Sequence, residues 1–393
     1  MGEKLARPLK VRHVLPQHGK VPVDPAREAV SGFLSTVIGL ARAQASAGKK
    51  VHVYGWRPDR LVSSFQWDDG TRVTTSSGIP GLRFGKYDFR YFSMIKLLTS
   101  LTDVADIMQV HTQPYQLKLS NCRKKVLHLN YMLPFDKLPG ALIAQAAAVL
   151  CVNSFMRDRF VAGLDYPPER VHVVYNGVEP SRFQATFDVG EIRAAWHASP
   201  NDIVILYAGA IVPVKGLLYL VRALRVLFPA YSNVRLVIVG STRIWQQNTA
   251  HEGRSASYDT VLEDEARGLP VCFAGEAPFA QMPAIYSACD IFVLPSVIDE
   301  GLPLSVIEAM AAGKPVVGSA VGGISEAVVQ GETGFLVPPG EPEALAAALK
   351  RLVEDRTLAT RFGCTGRERV HSLFAWSQIE KQVDQIYRDV LGL

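Results

Sequence analysis

The chain has 393 residues, of which 48% are hydrophobic and 20% charged, an ordinary globular balance too long to organise around one core, so two domains are expected. A formal net charge of +5 suits an anionic small molecule as well as nucleic acid or an anionic membrane. Five widely spread cysteines, without a CxxC pair, speak against a disulfide framework and read as reduced core residues of a cytoplasmic protein.

The first residues lack the apolar core of a signal peptide, and no run approaches the roughly 18 apolar residues of a membrane span, so any membrane contact is expected to be peripheral. Val11–Leu15 reads as a buried strand. A helix follows with Phe33, Val37, Leu40 and Ala41 on one face and Gly48 at its end, then a strand Val51–Tyr54. Strands at Ile107–His111, Val126–Tyr131, Ala148–Val152 and Val171–Tyr175 continue a doubly wound half. A polar stretch, Glu179–Asn201, carries Pro180 and Pro200, and the hinge is placed there.

Alternation restarts with strand Ile203–Ala208, helix Gly216–Phe228 and strand Val234–Val239. Strand Val271–Phe273, helix Ala280–Ala288 and strand Asp290–Leu294 follow. A helix containing Glu308, strands Pro315–Val317 and Gly334–Val337, and a helix Glu341–Glu354 complete a second doubly wound domain. The last helix, Ser377–Leu391, carries Ile379, Val383, Ile386, Tyr387 and Val390 on one face and is long enough to return to the first domain. The expected division is 1–190, 191–372 and a terminal helix 373–393. The expected architecture is α/β, two doubly wound Rossmann-like domains facing a central cleft at the carboxyl ends of their strands.

The chemistry concentrates in Asp299-Glu-Gly-Leu-Pro-Leu-Ser-Val-Ile-Glu308, which runs from a strand end into a helix. Backbone N–H groups near Leu302–Ser305 point outward at the helix start, where the dipole favours a diphosphate. One carboxylate can accept two vicinal hydroxyls of a ribose and the other the hydroxyls of a sugar. Alone, the pair fits a solvated loop and a surface helix equally well. Upstream, Leu206-Tyr-Ala-Gly-Ala-Ile-Val-Pro-Val-Lys-Gly216 sets Lys215 just before a helix, where a cation without an anionic partner is disfavoured.

These stretches resemble the retaining glycosyltransferases of family 4, of the GT-B fold. So do Ser31-Gly32, Val110-His-Thr-Gln-Pro114, Val174-Tyr-Asn-Gly-Val-Glu179, Val321-Gly-Gly-Ile-Ser-Glu326 and Gly331-Glu-Thr-Gly-Phe-Leu-Val-Pro338, in order along nearly the whole chain. The resemblance implies a hexosyltransferase (EC 2.4) taking its sugar from a nucleoside diphosphate donor, UDP favoured and GDP next. It makes Glu300 the sugar contact, Glu308 the ribose contact and Lys215 a diphosphate ligand, with Gly301, Leu302, Pro303 and Leu304 lending backbone to the phosphates. Gly32 and Gly209 would allow close approach, His111 would lie near the transferring sugar, and Phe273 with Gly275 matches the segment that packs on the base. His111 also reads as a histidine closing its strand, Phe273 as core, and Asn176-Gly177 and Gly322-Gly323 as turn chemistry. The family has arginine where this chain has Ala210, and Arg243 is the candidate replacement.

No Asp-x-Asp motif occurs and Glu263-Asp-Glu265 falls in a helical stretch, so no metal and no cofactor are expected, and Lys215 with the helix start takes the place of an ion. The acceptor is a saccharide, lipid-linked or small-molecule hydroxyl. A dehydrogenase is excluded by the lack of G-x-G-x-x-G and a P-loop enzyme by Gly313-Lys314 running into proline. Nucleic-acid binding rests only on Arg83, Lys86, Arg90 and Lys96 among aromatics, a segment better suited to packing, acceptor or membrane surface. The non-enzyme alternative is a silent scaffold or nucleotide-binding subunit, motivated by Ala210.

Overall fold

The computed structural model describes residues 7–17, 20–25, 28, 31–78, 83–84, 87–131, 138–164, 166–241 and 255–393. Two compact units form, Met1–Gly177 with Trp376–Leu393, and Val178–Ala375.

The first unit is built on β1 (Lys10–Val14), β2 (Lys50–Trp56), β3 (Val62–Gln66), β4 (Arg72–Ser76), β7 (Ala105–His111), β8 (Cys122–Leu129), β9 (Ala148–Cys151) and β10 (Val171–Val173), while β5 (Arg83–Phe84) and β6 (Tyr87–Asp88) pair separately. The sheet order is β10-β9-β8-β7-β1-β2-β4-β3, parallel throughout except for β3 on β4. The β3–β4 hairpin falls in a stretch to which the sequence reading assigns no element. Its turn is signalled by Asp68-Asp-Gly70: Gly70 takes φ +87°, and Asp69 accepts from the Thr71 N–H at 2.8 Å.

The helix Gly32–Ser46 opens on Ser31, whose hydroxyl accepts from the Leu34 N–H, and gives way to Gly48 at φ +86°. The terminal helix Trp376–Leu391 belongs to this unit. Ile379, Val383, Ile386 and Tyr387 are buried among Leu9, Val11, Leu40, Ile107 and Leu150. Fully burying a side chain of that size contributes about 1.5–3 kcal/mol each, which offsets part of the entropy lost in ordering the helix. Lys49 pairs with Glu380 and, at 2.8 Å, with Asp384.

The second unit carries β11 (Ile203–Ala208), β12 (Val234–Val239), β13 (Val271–Gly275), β14 (Ile291–Leu294), β15 (Val316–Ser319) and β16 (Gly334–Val337). Their order, β13-β12-β11-β14-β15-β16, is all parallel. Strands of this kind, covered on both faces, read as unbroken apolar runs, and β11 and β14 are buried at every position. The polar stretch after Glu179 lies inside this unit rather than bridging to it. Val178 donates to the Phe374 carbonyl, and Arg193 donates to the carbonyls of Ala288, Ser199 and Asp202 and pairs with Asp290 at 3.4 Å. The division therefore falls at Gly177/Val178, upstream of the proline-marked stretch, because those contacts tie the stretch to the second sheet.

Candidate donor site

In the second sheet the chain winds from β11 outward through β12 and β13, then returns to β14 on the other side and winds outward again. β11 and β14 are neighbours whose following loops diverge, which opens the position where doubly wound sheets hold ligands. Both loops bearing the sequence-assigned side chains start there.

After β11, Gly209 donates to Val239 at 3.0 Å, and the Tyr207 hydroxyl donates to the Ala210 carbonyl at 2.6 Å. Burial, with the Glu300 charge adding to it, pushes the Tyr207 hydroxyl well above its ordinary range, so it stays a donor. A 3-10 turn, Pro213–Lys215, ends on Gly216 at φ +73°. A Cβ on Gly216 would lie 1.8 Å from the Pro295 carbonyl oxygen, so only glycine lets this turn lie against the loop after β14. Val297 donates to Val214 at 2.9 Å across the same seam.

That seam sets Lys215 Nζ 2.6 Å from Glu300 Oε1, with both side chains mostly buried. The Ser296 hydroxyl donates to the same oxygen at 2.5 Å. The Glu300 backbone is held from behind: its carbonyl accepts from the Gly323 N–H at 3.0 Å, and a Cβ on Gly323 would lie 1.6 Å from the Gly301 carbonyl oxygen. Gly322 takes φ +43° as a turn residue, but the glycine pair also forms the floor under the Glu300 loop.

The helix Leu304–Ala311 begins after Pro303, and no side-chain hydrogen bond caps its start. Leu302 is buried at 2% exposure, so its side chain belongs to the core. Glu308 is not a surface residue. It is 9% exposed and accepts from the Tyr286 hydroxyl at 3.0 Å. Burial pushes its carboxyl up to about 7, against the Tyr286 hydrogen bond and the Arg182 charge, which pull it down.

Phe273 on the edge strand β13 is 40% exposed, so it is not core. Gly275 ends that strand at φ +74°. Arg243 lies outside the described residues. Among the described residues, no group of three or more histidine, cysteine, aspartate or glutamate side chains could hold a metal ion, and no helix is long and apolar enough to cross a membrane.

In the first unit, His111 ends β7, fully buried. Its Nε2 lies 3.0 Å from His13 Nδ1 and its Nδ1 lies 3.1 Å from Asn130 Oδ1. His13 also meets Gln44 at 2.7 Å, and Gln109 bridges to His128 at 2.9 Å. The Tyr387 hydroxyl of the terminal helix donates to Gln109. Phe33, next to Gly32, sets its ring edge-on to His111 at 6.3 Å between centroids, so the glycine loop and the histidine meet at one end of this sheet. Ser296, Tyr286, Arg182 and the polar partners of His111 are absent from the sequence reading, and Gly323 enters it only as turn chemistry; only Pro295-Ser296 at a strand end carries a local signal.

Comparison with known proteins bears on the family and the fold. Residues 188–369 match the model described as glycosyl transferases group 1, and residues 30–182 match glycosyltransferase family 4. The chain is 34% identical over 310 residues to alpha-maltose-1-phosphate synthase of Mycobacterium tuberculosis, covering 75% of each chain. Sucrose-phosphate synthase from Thermosynechococcus elongatus superposes with a TM-score of 0.78 at 22% identity, over 98% of this chain and 99% of the other. Anabaena HepE in complex with UDP and glucose superposes at 0.73 and 20% identity, over 97% of this chain and all of that one. The protein belongs to the family 4, group 1 glycosyltransferases, and its fold is GT-B. For several curated relatives the matched region spans only 60–64% of the relative's own length.

Proposed function

We propose that the protein is a retaining, metal-independent glycosyltransferase that moves a hexose-type sugar from a nucleoside diphosphate donor to a hydroxyl acceptor in glycan, glycolipid or glycoside synthesis. The observation that carries this reading is the meeting of Lys215 and Glu300 at the β11/β14 switch point, beside an uncapped helix start that bears the buried Glu308. Lys215 is a compact cation able to leave Glu300 for a phosphate oxygen. The first N–H groups of the helix add positive potential where negative charge grows on the leaving diphosphate. Glu300, released from Lys215, accepts sugar hydroxyls, and Glu308 accepts the two ribose hydroxyls.

In the transfer step the bond from C1 to the phosphate oxygen breaks. The acceptor oxygen bonds C1 on the same face, and its proton passes to the departing phosphate. The carboxylates bind rather than act as the acid and nucleophile of a hydrolase. His111, Gly32, Gly209 and Phe273 are assigned to the sugar, the close approaches and the base, as the family resemblance implies. UDP is the favoured nucleotide, supported by the UDP-bound relative of the same fold.

The test is a thermal-shift screen of UDP-, GDP-, ADP- and dTDP-sugars followed by an assay of nucleotide release with saccharide acceptors. A ligand that binds only the folded state raises the melting temperature. Stabilisation by one nucleotide class together with release supports the enzyme. Binding without any release across the acceptors favours the silent nucleotide-binding subunit that Ala210 first suggested, and no binding at all sinks the enzyme.

A further inference from the structure

Glu308 is bonded to a tyrosine set in a cluster of aromatic side chains that the donor reading does not use. Tyr286, on the helix Met282–Ala288, is fully buried, with Phe292 of β14 at 5.7 Å and Phe183 at 6.0 Å between ring centroids. Phe183 comes from the 3-10 turn Pro180–Phe183, just past the Val174-Tyr-Asn-Gly-Val-Glu179 stretch. The same turn carries Arg182, whose guanidinium lies 3.8 Å over the Phe279 ring and donates to the Phe279 carbonyl at 2.9 Å. Three separated segments thus fix one phenol against the carboxylate and one cation on the neighbouring turn.

We infer that Tyr286 is a positioning residue for Glu308: its hydroxyl, held rigid by Phe183 and Phe292, occupies Oε2, turns Oε1 toward the ribose and keeps the carboxylate in its accepting form, with Arg182 as the supporting charge. The inference rests on the reading of Glu308 as the ribose contact. A buried carboxylate without a donor would take up a proton, and a protonated carboxyl accepts vicinal hydroxyls poorly. The Tyr286 hydroxyl is itself pushed well above its ordinary range, by burial first and then by the Glu308 charge, so it remains a donor over the whole working range.

Tyr286 faces Glu308 from one helix, and the Arg182 charge acts on it from the 3-10 turn. Arg367 and Arg369, on the helix Arg356–Arg369, donate to the carbonyls of Ala312, Ala327 and Glu326. His371, in the turn after that helix, bonds Gln184 at 2.9 Å, and Lys314 donates to the Ser287 and Cys289 carbonyls. Tyr286 and Arg182 are the two groups that favour the charged form of Glu308, so a change at either should move it.

The experiment is calorimetric titration of the parent and of Tyr286→Phe from pH 6 to pH 9 with UDP, GDP, ADP and dTDP. The tightest ligand of the parent is followed through all variants, so the ligand's own titration is common to them. Removing a hydrogen bond to a charged acceptor should move the pH midpoint of binding upward by about one unit. Affinity then falls about tenfold at pH 6, below both midpoints, and returns close to the parent value at pH 9. The phenyl ring still fills the site, and unchanged thermal unfolding checks the fold. If that variant does not fold, Arg182→Gln carries the test with an upward shift in the same direction.

A uniform change at every pH, or no change, overturns the inference and makes Tyr286 a packing residue. Failure of the underlying reading looks different: Glu308→Gln binds as tightly as the parent, or the parent binds none of the four nucleotides.

Discussion

The Glu300 loop rests on glycines, and Gly323→Ala is the substitution that separates this support from the chemistry. Its position lies in the helix Gly322–Ala327, and it is absent from the positive-φ residues, so alanine meets no backbone strain there. On helix propensity alone the change should stabilise by about 1 kcal/mol. The added Cβ, however, would lie 1.6 Å from the Gly301 carbonyl oxygen, 2.6 Å from its carbon and 2.9 Å from the Leu302 Cα. All are backbone atoms with no rotamer to yield. Restoring ordinary contact near 3.5 Å requires the loop or the glycine helix to move by roughly 1.5–2 Å. That displacement stretches the 3.0 Å hydrogen bond from Gly323 to Glu300 and withdraws Glu300 from Lys215 and Ser296. A misplacement of about 1 Å at a reacting centre costs about a hundredfold in rate. Gly323→Ala should therefore lower sugar transfer by about that factor and lower the melting temperature. The assay is transfer of the best-bound donor's sugar, with Gly140→Ala as control, a helix-start glycine whose Cβ would meet nothing within 4 Å. A Gly323→Ala protein with parental transfer and parental melting temperature would refute the buttress.

Glu300→Gln keeps the shape but removes the charge that Lys215 and Ser296 share, and should reduce turnover by about a hundredfold or more, with the fold preserved by circular dichroism. Acidification should unfold the first unit first. Burial lowers His13 to about 4 and His128 to about 3 and holds His111 well below its ordinary value, so these rings stay neutral in the fold but take up protons once unfolded. Stability from this network is full above about pH 6.5 and falls toward pH 4 by up to about 1.4 kcal/mol per pH unit for each ring, which urea unfolding at pH 5 and pH 7 would measure. Deleting residues 376–393 should weaken the first unit, which loses Ile379, Val383, Ile386 and Tyr387 from its core, and leave the melting of the second unit unchanged in calorimetry.

How much of this was legible depended on sequence distance. Strands Val234–Val239 and Gly334–Val337 are legible to the residue, because largely buried parallel strands are short apolar runs bounded by turns. Lys215 and Glu300 are legible because each lies in the loop that follows a strand, and the doubly wound topology makes such loops neighbours. The hairpin Val62–Ser76 was missed although Asp69-Gly70 marks its turn, since Val62-Ser-Ser-Phe-Gln66 is only half buried and weakly patterned. Tyr286 and Arg182 were illegible as partners of Glu308, because nothing in the local sequence shows that a turn and two helices converge on one carboxylate. His13, His128 and Tyr387 joined His111 only through the strand order and the return of the last helix. Gly322-Gly323 was read as turn chemistry, which its φ supports, but a backbone-to-backbone approach from another loop leaves no mark in the sequence.

The account centres on Lys215 answering to a nucleoside diphosphate at the β11/β14 switch point, and calorimetric titration of the parent and Lys215→Ala with UDP-, GDP-, ADP- and dTDP-sugars tests it most directly. It predicts saturable binding of at least one donor by the parent and a loss of about tenfold to a hundredfold in the variant, the worth of one charge-assisted phosphate contact. A variant that binds the same donor as tightly as the parent would contradict it.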